Sequence, residues 1–224
     1  SNDAATAIKS YEKLADQVVG VDLNCGCPEK FAVHRGTGSA IELETAVDIV
    51  KGLSRNISKP VSVKFRIFPE DEKSIQFAQA VENAGASAIT VHGRLKEQKH
   101  EGNVNYEKMK LIFDHVKCCK IGNGGITSRE DAEKMKAETG CSAVMISNAA
   151  LHNPSVFNLE MRPENEVLAE MSKIAKNHHL DFKSCKWSMQ QVLQSNKSLS
   201  KSIGTQFNQA QTWEEVDDVI LKNL

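Results

Sequence analysis

Five short, continuously apolar segments, each followed by a helical pattern, recur along the first two thirds of this 224-residue chain, and that alternation constrains the fold most. The apolar segments run over residues 18–24, 60–67, 88–93, 118–123 and 143–147. They lack an alternation of polar and apolar positions, as strands do when a sheet is covered on both faces. Between them, residues 41–54, 72–84, 105–115 and 128–138 have helical periodicity. Asn83-Ala84-Gly85 stops one helix, and Thr127-Ser128-Arg129-Glu130-Asp131 opens another with a capping residue and early acids. From the second strand onward the repeat is roughly 28 residues, the length of one strand-loop-helix-loop unit. The pattern predicts a parallel α/β fold, either a (β/α) barrel or a doubly wound sheet.

A barrel of this type needs eight strands and typically about 250 residues, whereas the strands here all precede residue 150. An amphipathic helix over 5–17, capped from Ser1-Asn2-Asp3-Ala4, stands before the first strand. The expectation is a (β/α)8 TIM-barrel type over residues 1–160, present as about the last five βα units with the N-terminal three absent. An open five-stranded sheet would leave apolar parallel edges in water. Beyond Pro163 no strand pattern remains; residues 164–179, 182–194 and 212–224 read as an all-helical domain over 161–224.

A chain that is 40% hydrophobic and 25% charged, with a net charge of −1, is neither disordered nor fibrous. No apolar run approaches the roughly 18 residues of a membrane helix, and no basic-then-apolar signal opens the sequence. These features place the chain in the cytoplasm or nucleus, where Cys25, Cys27, Cys118, Cys119, Cys141 and Cys185 stay as thiols. Cys25 and Cys27 have no second well-spaced Cys or His pair nearby, so no metal site is expected. The helical region contrasts with the neutral whole: between residues 173 and 202, Lys173, Lys176, Lys183, Lys186, Lys197 and Lys201 face the single acid Asp181. Such a face can neutralise phosphates, or it can be a solvated surface.

Loops leaving the C-terminal ends of parallel strands form the mouth of an active site, and here every strand ends on polar groups. They are Asn24 and Cys27, Lys64 and Arg66, His92 and Arg94, Asn123-Gly124-Gly125, and Ser147-Asn148. Lys64 and Arg66 alternate with Phe65, so both point to one side of their strand. An unpaired lysine there is costly, and an anionic or electron-rich ligand is an economical partner. Gly124-Gly125 would let backbone N–H groups approach a phosphate near a helix N-terminus.

Taken together, Asp22-Leu23-Asn24-Cys25-Gly26-Cys27-Pro28, Gly36-Thr37-Gly38, Val63-Lys64-Phe65-Arg66, His92-Gly93-Arg94 and Asn123-Gly124-Gly125-Ile126 closely resemble the tRNA-dihydrouridine synthases. The resemblance covers roughly residues 1–160, and the lysine-bearing tail is similar to that family's C-terminal tRNA-binding domain. Within the family the chain looks closest to the eukaryotic enzymes acting on uridine 20. The resemblance implies FMN-dependent reduction of uridine to 5,6-dihydrouridine in the D-loop of tRNA, with NADPH as reductant. It implies Cys27 as the general acid at C5, a role suited to a thiol whose ordinary pKa near 8.5 keeps it protonated at neutral pH. Asn24, Arg66 and Arg94 would meet the substrate; Lys64, His92, Asn123, Gly124, Gly125, Ser147 and Asn148 would bind FMN; Lys173, Lys176, Lys183 and Lys186 would contact RNA. Two departures stand out. Ser147-Asn148 occupies the place of a Gly-Arg or Ala-Arg pair, exchanging a charged phosphate contact for a neutral one, and the family's Ala-Pro-Met segment of the first strand is missing. The competing expectations are a truncated, non-catalytic RNA-binding or interaction protein on the same scaffold, and another FMN barrel oxidoreductase acting on a small molecule.

Overall fold

The computed structural model describes residues 1–99 and 101–222. In chain order the elements are α1 (Ala4–Glu12), β1 (Val21–Cys25), α2 (Lys30–Val33), α3 (Leu43–Asn56), β2 (Val61–Arg66), α4 (Asp71–Asn83), β3 (Ala88–His92) and α5 (Tyr106–Asp114). There follow β4 (Cys119–Asn123), α6 (Arg129–Thr139), β5 (Ala143–Met145), α7 (Asn148–His152), α8 (Glu164–Asn177), α9 (Phe182–Ser195), α10 (Lys197–Gln209) and α11 (Trp213–Leu221). The chain divides into two compact units: residues 1–125 with 130–145, and residues 126–129 with everything from 146 on.

The first unit holds one parallel sheet in the order β1-β2-β3-β4-β5. Each strand lies beside its predecessor and the order never reverses, so the sheet has no switch point and is not doubly wound. Alternation decides which side chains meet the helices. Val61, Val63 and Phe65 point to one face of β2, where Phe65 packs on Phe77 of α4 with ring centroids 4.8 Å apart. Buried Ala46, Ile49, Val50 and Leu53 give α3 the spacing of an apolar stripe on the same covered side. Ser62, Lys64 and Arg66 therefore lie on the opposite face.

Local chemistry explains where the elements start and stop. Asp3 caps α1 by accepting from the Thr6 N–H at 2.7 Å, as the sequence leads one to expect. The helix ends at Glu12, however, because residues 13–17 tighten into i→i−3 turns: Leu14 N–H donates to Tyr11 O and Gln17 N–H to Leu14 O. Strand β1 begins at Val21 and not at Val18, since its N–H makes the first bond to the neighbouring segment, at Pro60 O.

The second unit is helical. Helix α8 packs on α9, α9 on α10, α10 on α11, and α11 back on α8, around Leu168, Met189, Val192, Ile203, Phe207 and Val216. Helix α10 was not expected from the sequence; Ser198, Ser200, Ser202, Gly204 and Thr205 lower its helix propensity. It forms because Asn196 caps it, accepting from Leu199 N–H, and because Ile203 and Phe207 bury one face. No helix among the described residues is long and apolar enough to cross a membrane, and all six cysteines are free.

Candidate active site

The strand register stacks polar residues in layers on the face away from the covering helices. Arg66, His92, Asn123 and Met145 stand side by side at the C-terminal tips. One layer back are Asn24, Lys64, Thr90, Ile121 and Ala143, and behind these Asp22 is level with Ser62. Sequence expectations named Asn24, Cys27, Lys64, Arg66, His92, Arg94, Asn123, Gly124 and Gly125, and the first unit brings them to this one end of its sheet.

The loop after β1 is built around the Asn24 side chain, whose Oδ1 accepts from the N–H groups of Gly26 (3.0 Å) and Cys27 (3.1 Å). This turn lets Cys25 and Cys27 take opposite fates. Cys25 is buried, and burial, then Asp22, push its thiol up to about 12, so it stays neutral. Cys27 is half-buried and, with Asp22 and Asn24, lines a cleft of about 670 Å³ beside α1 and β1. Its carbonyl accepts from Ser39 N–H at 2.9 Å, which fixes the backbone on its far side.

Arg66 is buried at the centre. Its Nε donates to Gly26 O at 3.0 Å and its Nη1 to Leu95 O at 3.2 Å, so it ties the Cys27 loop to the loop after β3. Burial first, then Arg94, work against its charge, while Cys27 favours it. Lys64 is half-buried and makes no hydrogen bond or ion pair with a described residue. Burial and Arg66 push its ammonium down; Asp22 and Cys27 pull it up. Asp22 accepts from Ser62 Oγ at 2.7 Å, and its carboxyl is itself raised by the loss of water around it.

His92 lies 3.5 Å from Arg94 Nη1 through its Nε2, and Arg94 Nε donates to Gly102 O at 2.8 Å. Asn123 donates its Nδ2 to Met145 O at 2.8 Å, so its amide holds β5 in place. Gly124 and Gly125 have φ of +116° and +69°, and a Cβ on Gly124 would meet His92 Cδ2 at 2.9 Å. This is bare backbone pressed against the imidazole. Ser147 and Asn148 belong to the second unit, where both are exposed at the start of α7.

The second unit also holds the four lysines expected at RNA. Lys173 and Lys183 are exposed. Lys176 pairs with Asp217, which also accepts from Ser172 Oγ at 2.5 Å. Lys186 donates to Asn208 O (2.8 Å) and Ala210 O (2.5 Å), placing its cation on the C-terminal carbonyls of α10. Sequence reasoning missed two residues of the first unit. Asp22 was readable, since it is two residues before Asn24 and so shares its face. Lys108 was not. From within α5 it donates to Phe68 O (2.8 Å) and Pro69 O (2.6 Å) and pairs with Asp71 at 2.8 Å, clamping the loop after β2.

The family model described as Dihydrouridine synthase (Dus) matches residues 1–223. The chain is 29% identical to the tRNA-dihydrouridine(16/17) synthase of Saccharomyces cerevisiae, over 99% of this chain and 57% of that protein. It is 33% identical to the human tRNA-dihydrouridine(20a/20b) synthase-like protein, over 70% of this chain and 51% of that one. It thus spans about half the length of these curated relatives. Among solved structures, phosphonopyruvate hydrolase with oxalate and Mg²⁺ has a TM-score of 0.51 at 12% identity, covering 100% of this chain and 89% of that one, a likeness of fold alone. With the family model spanning essentially its whole length, the chain belongs to the dihydrouridine synthase family.

Proposed function

We propose that this chain carries the catalytic end of an enzyme that reduces uridine in the D-loop of tRNA to 5,6-dihydrouridine, using FMN and NADPH. One observation carries it: the strand register brings Asn24, Lys64, Arg66 and His92 to one face at the C-terminal end of the sheet, beside the loop that carries Cys27 and that Asn24 and Arg66 hold. The five βα units are then the later part of a (β/α)8 barrel whose earlier units lie outside this sequence. Among the described residues β1 pairs with β2 alone, and the relatives are longer, which supports this.

The residues present fit a flavin mononucleotide. Lys64 has an ammonium in want of an electron-rich partner, and the side-chain-free backbone at Gly124-Gly125 offers N–H groups beside His92. FMN, when bound, supplies the hydride that reaches C6 of the uracil, and NADPH restores it. Cys27 delivers the proton to C5 from Sγ, which saturates the C5=C6 bond and leaves a thiolate that solvent reprotonates. Asn24 keeps its Nδ2 hydrogens for a uracil carbonyl, its Oδ1 being committed to the loop. Arg66 holds the loop and has Nη2 left for substrate, and Arg94 serves the same end. The target base has to leave its stack to reach a thiol at the base of a loop, so the helical unit, with Lys173 and Lys183 exposed, holds the tRNA body.

The test is a visible absorption spectrum of the purified chain after FMN is added and the excess removed by gel filtration, followed by a dihydrouridine assay on unmodified tRNA. Cys27→Ala should keep flavin and tRNA binding and lose the product; Lys64→Met should lose flavin. A chain that binds tRNA but retains no flavin would overturn the catalytic assignment in favour of a non-catalytic RNA-binding protein.

A further inference from the structure

Helices α9 and α10 contain no acidic residue. Helices α8 and α11, in contrast, carry Glu164, Glu166, Glu170, Glu214, Glu215, Asp217 and Asp218. Because the four helices pack in a ring, the two acid-free helices are neighbours, and so are the two acidic ones. The second unit is thus electrostatically two-sided, a property that the lysine count along the sequence does not reveal. On the acid-free side Lys183, Lys197 and Lys201 are exposed, while Lys186 is committed to the α10 carbonyls.

Within that side stands an aromatic group that the fold does not use. Trp187 is 55% exposed, and its indole N–H has no hydrogen-bond partner among the described residues. The second tryptophan, Trp213, is instead half-buried edge-on against Phe182, with centroids 5.0 Å apart. Lys183 precedes Trp187 by one helical turn, and Gln190 and Gln194 follow at the next turns, so the four form one stripe along α9. A flat aromatic beside a cation, on a surface where Asp181 is committed to capping α9 through Ser184 N–H, matches the needs of an unstacked base and its phosphate. Duplex RNA, recognised through phosphates and shape, would have no use for the indole.

We propose that α9 and α10 form the RNA-facing side of the helical unit, with Trp187 stacking on an unpaired base of tRNA and Lys183 meeting a neighbouring phosphate. This rests on the tRNA reading above and goes beyond it in naming the side, the anchor and the single-stranded character of what is bound. The seven acids of α8 and α11 outnumber Lys173 and Lys176 there, and Lys176 is committed to Asp217, so on that side the exposed Lys173 is what phosphate can meet.

The experiment uses the full chain and an unmodified tRNA transcript. Trp213→Phe leaves Trp187 as the sole tryptophan, and tRNA should quench its fluorescence, whereas a duplex RNA without loops should not. Trp187→Ala should weaken tRNA binding roughly tenfold or more, and Trp187→Phe should recover part of it. Lys183→Ala should reduce the slope of log affinity against log salt by about 0.7, the share of one phosphate on a single strand. Unchanged circular dichroism verifies folding, which an exposed side chain should not disturb. Full affinity in Trp187→Ala with unquenched fluorescence would overturn this inference and leave the tRNA reading standing. No tRNA binding by the unsubstituted chain would overturn both and assign the indole to a protein surface.

Discussion

Replacing Gly38 by Ala tests the Cys27 loop without any ligand. Gly38 is buried with φ +61°, and an added Cβ would lie 2.6 Å from the Cys27 carbonyl oxygen, 2.9 Å from Cys27 Cβ and 3.3 Å from Ala32 Cβ. Two costs follow. The left-handed backbone disfavours a Cβ by about 1–2 kcal/mol, and overpacking a closed site costs about 1–3 kcal/mol more. The Cys27 oxygen cannot retreat freely, because Ser39 N–H is bonded to it at 2.9 Å. Gly36 supplies the control: its φ is +65°, but a Cβ there would meet nothing closer than Asn2 Nδ2 at 3.5 Å. Gly36→Ala should therefore cost only the backbone part, and Gly38→Ala about 1–3 kcal/mol beyond it. Both tryptophans lie in the second unit, so urea unfolding is best followed by hydrogen exchange over peptides of β1 and β2. Gly38→Ala should also change the alkylation rate of Cys27. Equal midpoints for the two variants would refute the close approach of the Gly38 backbone to Cys27.

Two further outcomes follow from charge and burial. With iodoacetamide at pH 8, peptide mapping should find Cys27 modified before Cys25, whose buried thiol is pushed up to about 12; modification of Cys25 first would contradict the loop. The same raised pKa means that the unfolded chain loses this proton first. Stability is thus unaffected below about pH 9 and falls by about 1.4 kcal/mol per pH unit above it, and Cys25→Ala should flatten that alkaline decline in a urea-midpoint series. In the second unit, Lys186→Met removes two charge-assisted bonds to α10 carbonyls and should lower stability by about 2 kcal/mol by tryptophan fluorescence. An unchanged midpoint would mean that the C-terminal end of α10 does not depend on this cation.

Much of the parallel sheet was legible because strands buried on both faces are read from continuous apolar runs, and each β strand lies within or one residue beyond its expected segment. What the sequence obscured was pairing. Val18 and Val19 look like strand residues, yet hydrogen bonding begins only at Val21, where Pro60 supplies an acceptor. Helix α10 escaped notice for the converse reason: its serines, Gly204 and Thr205 are poor helix formers, and Ile203 and Phe207 stabilise it only through contacts with other helices. At the site, alternation along β2 correctly put Lys64 and Arg66 on one face. It could not reveal that Arg66 donates to Gly26 and Leu95, because those carbonyls belong to loops 40 and 29 residues away.

The contrast between Lys64 and Arg66 brings the fold and the chemistry together. A guanidinium presents several fixed donors and can bridge two loops while burial works against its charge; Arg66 does this, and the Cys27 loop is held in place by it. An ammonium two residues away, on the same face and with no hydrogen bond or ion pair among the described residues, has no such structural use; burial works against its charge, and Asp22 and Cys27 favour it. Position along one strand thus separates the two cations: the outer one builds the loop that carries Cys27, and the inner one, on the function proposed above, meets the flavin. A substitution that exchanges them, Lys64→Arg with Arg66→Lys, keeps the net charge and removes both functions, since lysine cannot span Gly26 O and Leu95 O with the fixed geometry of a planar fork.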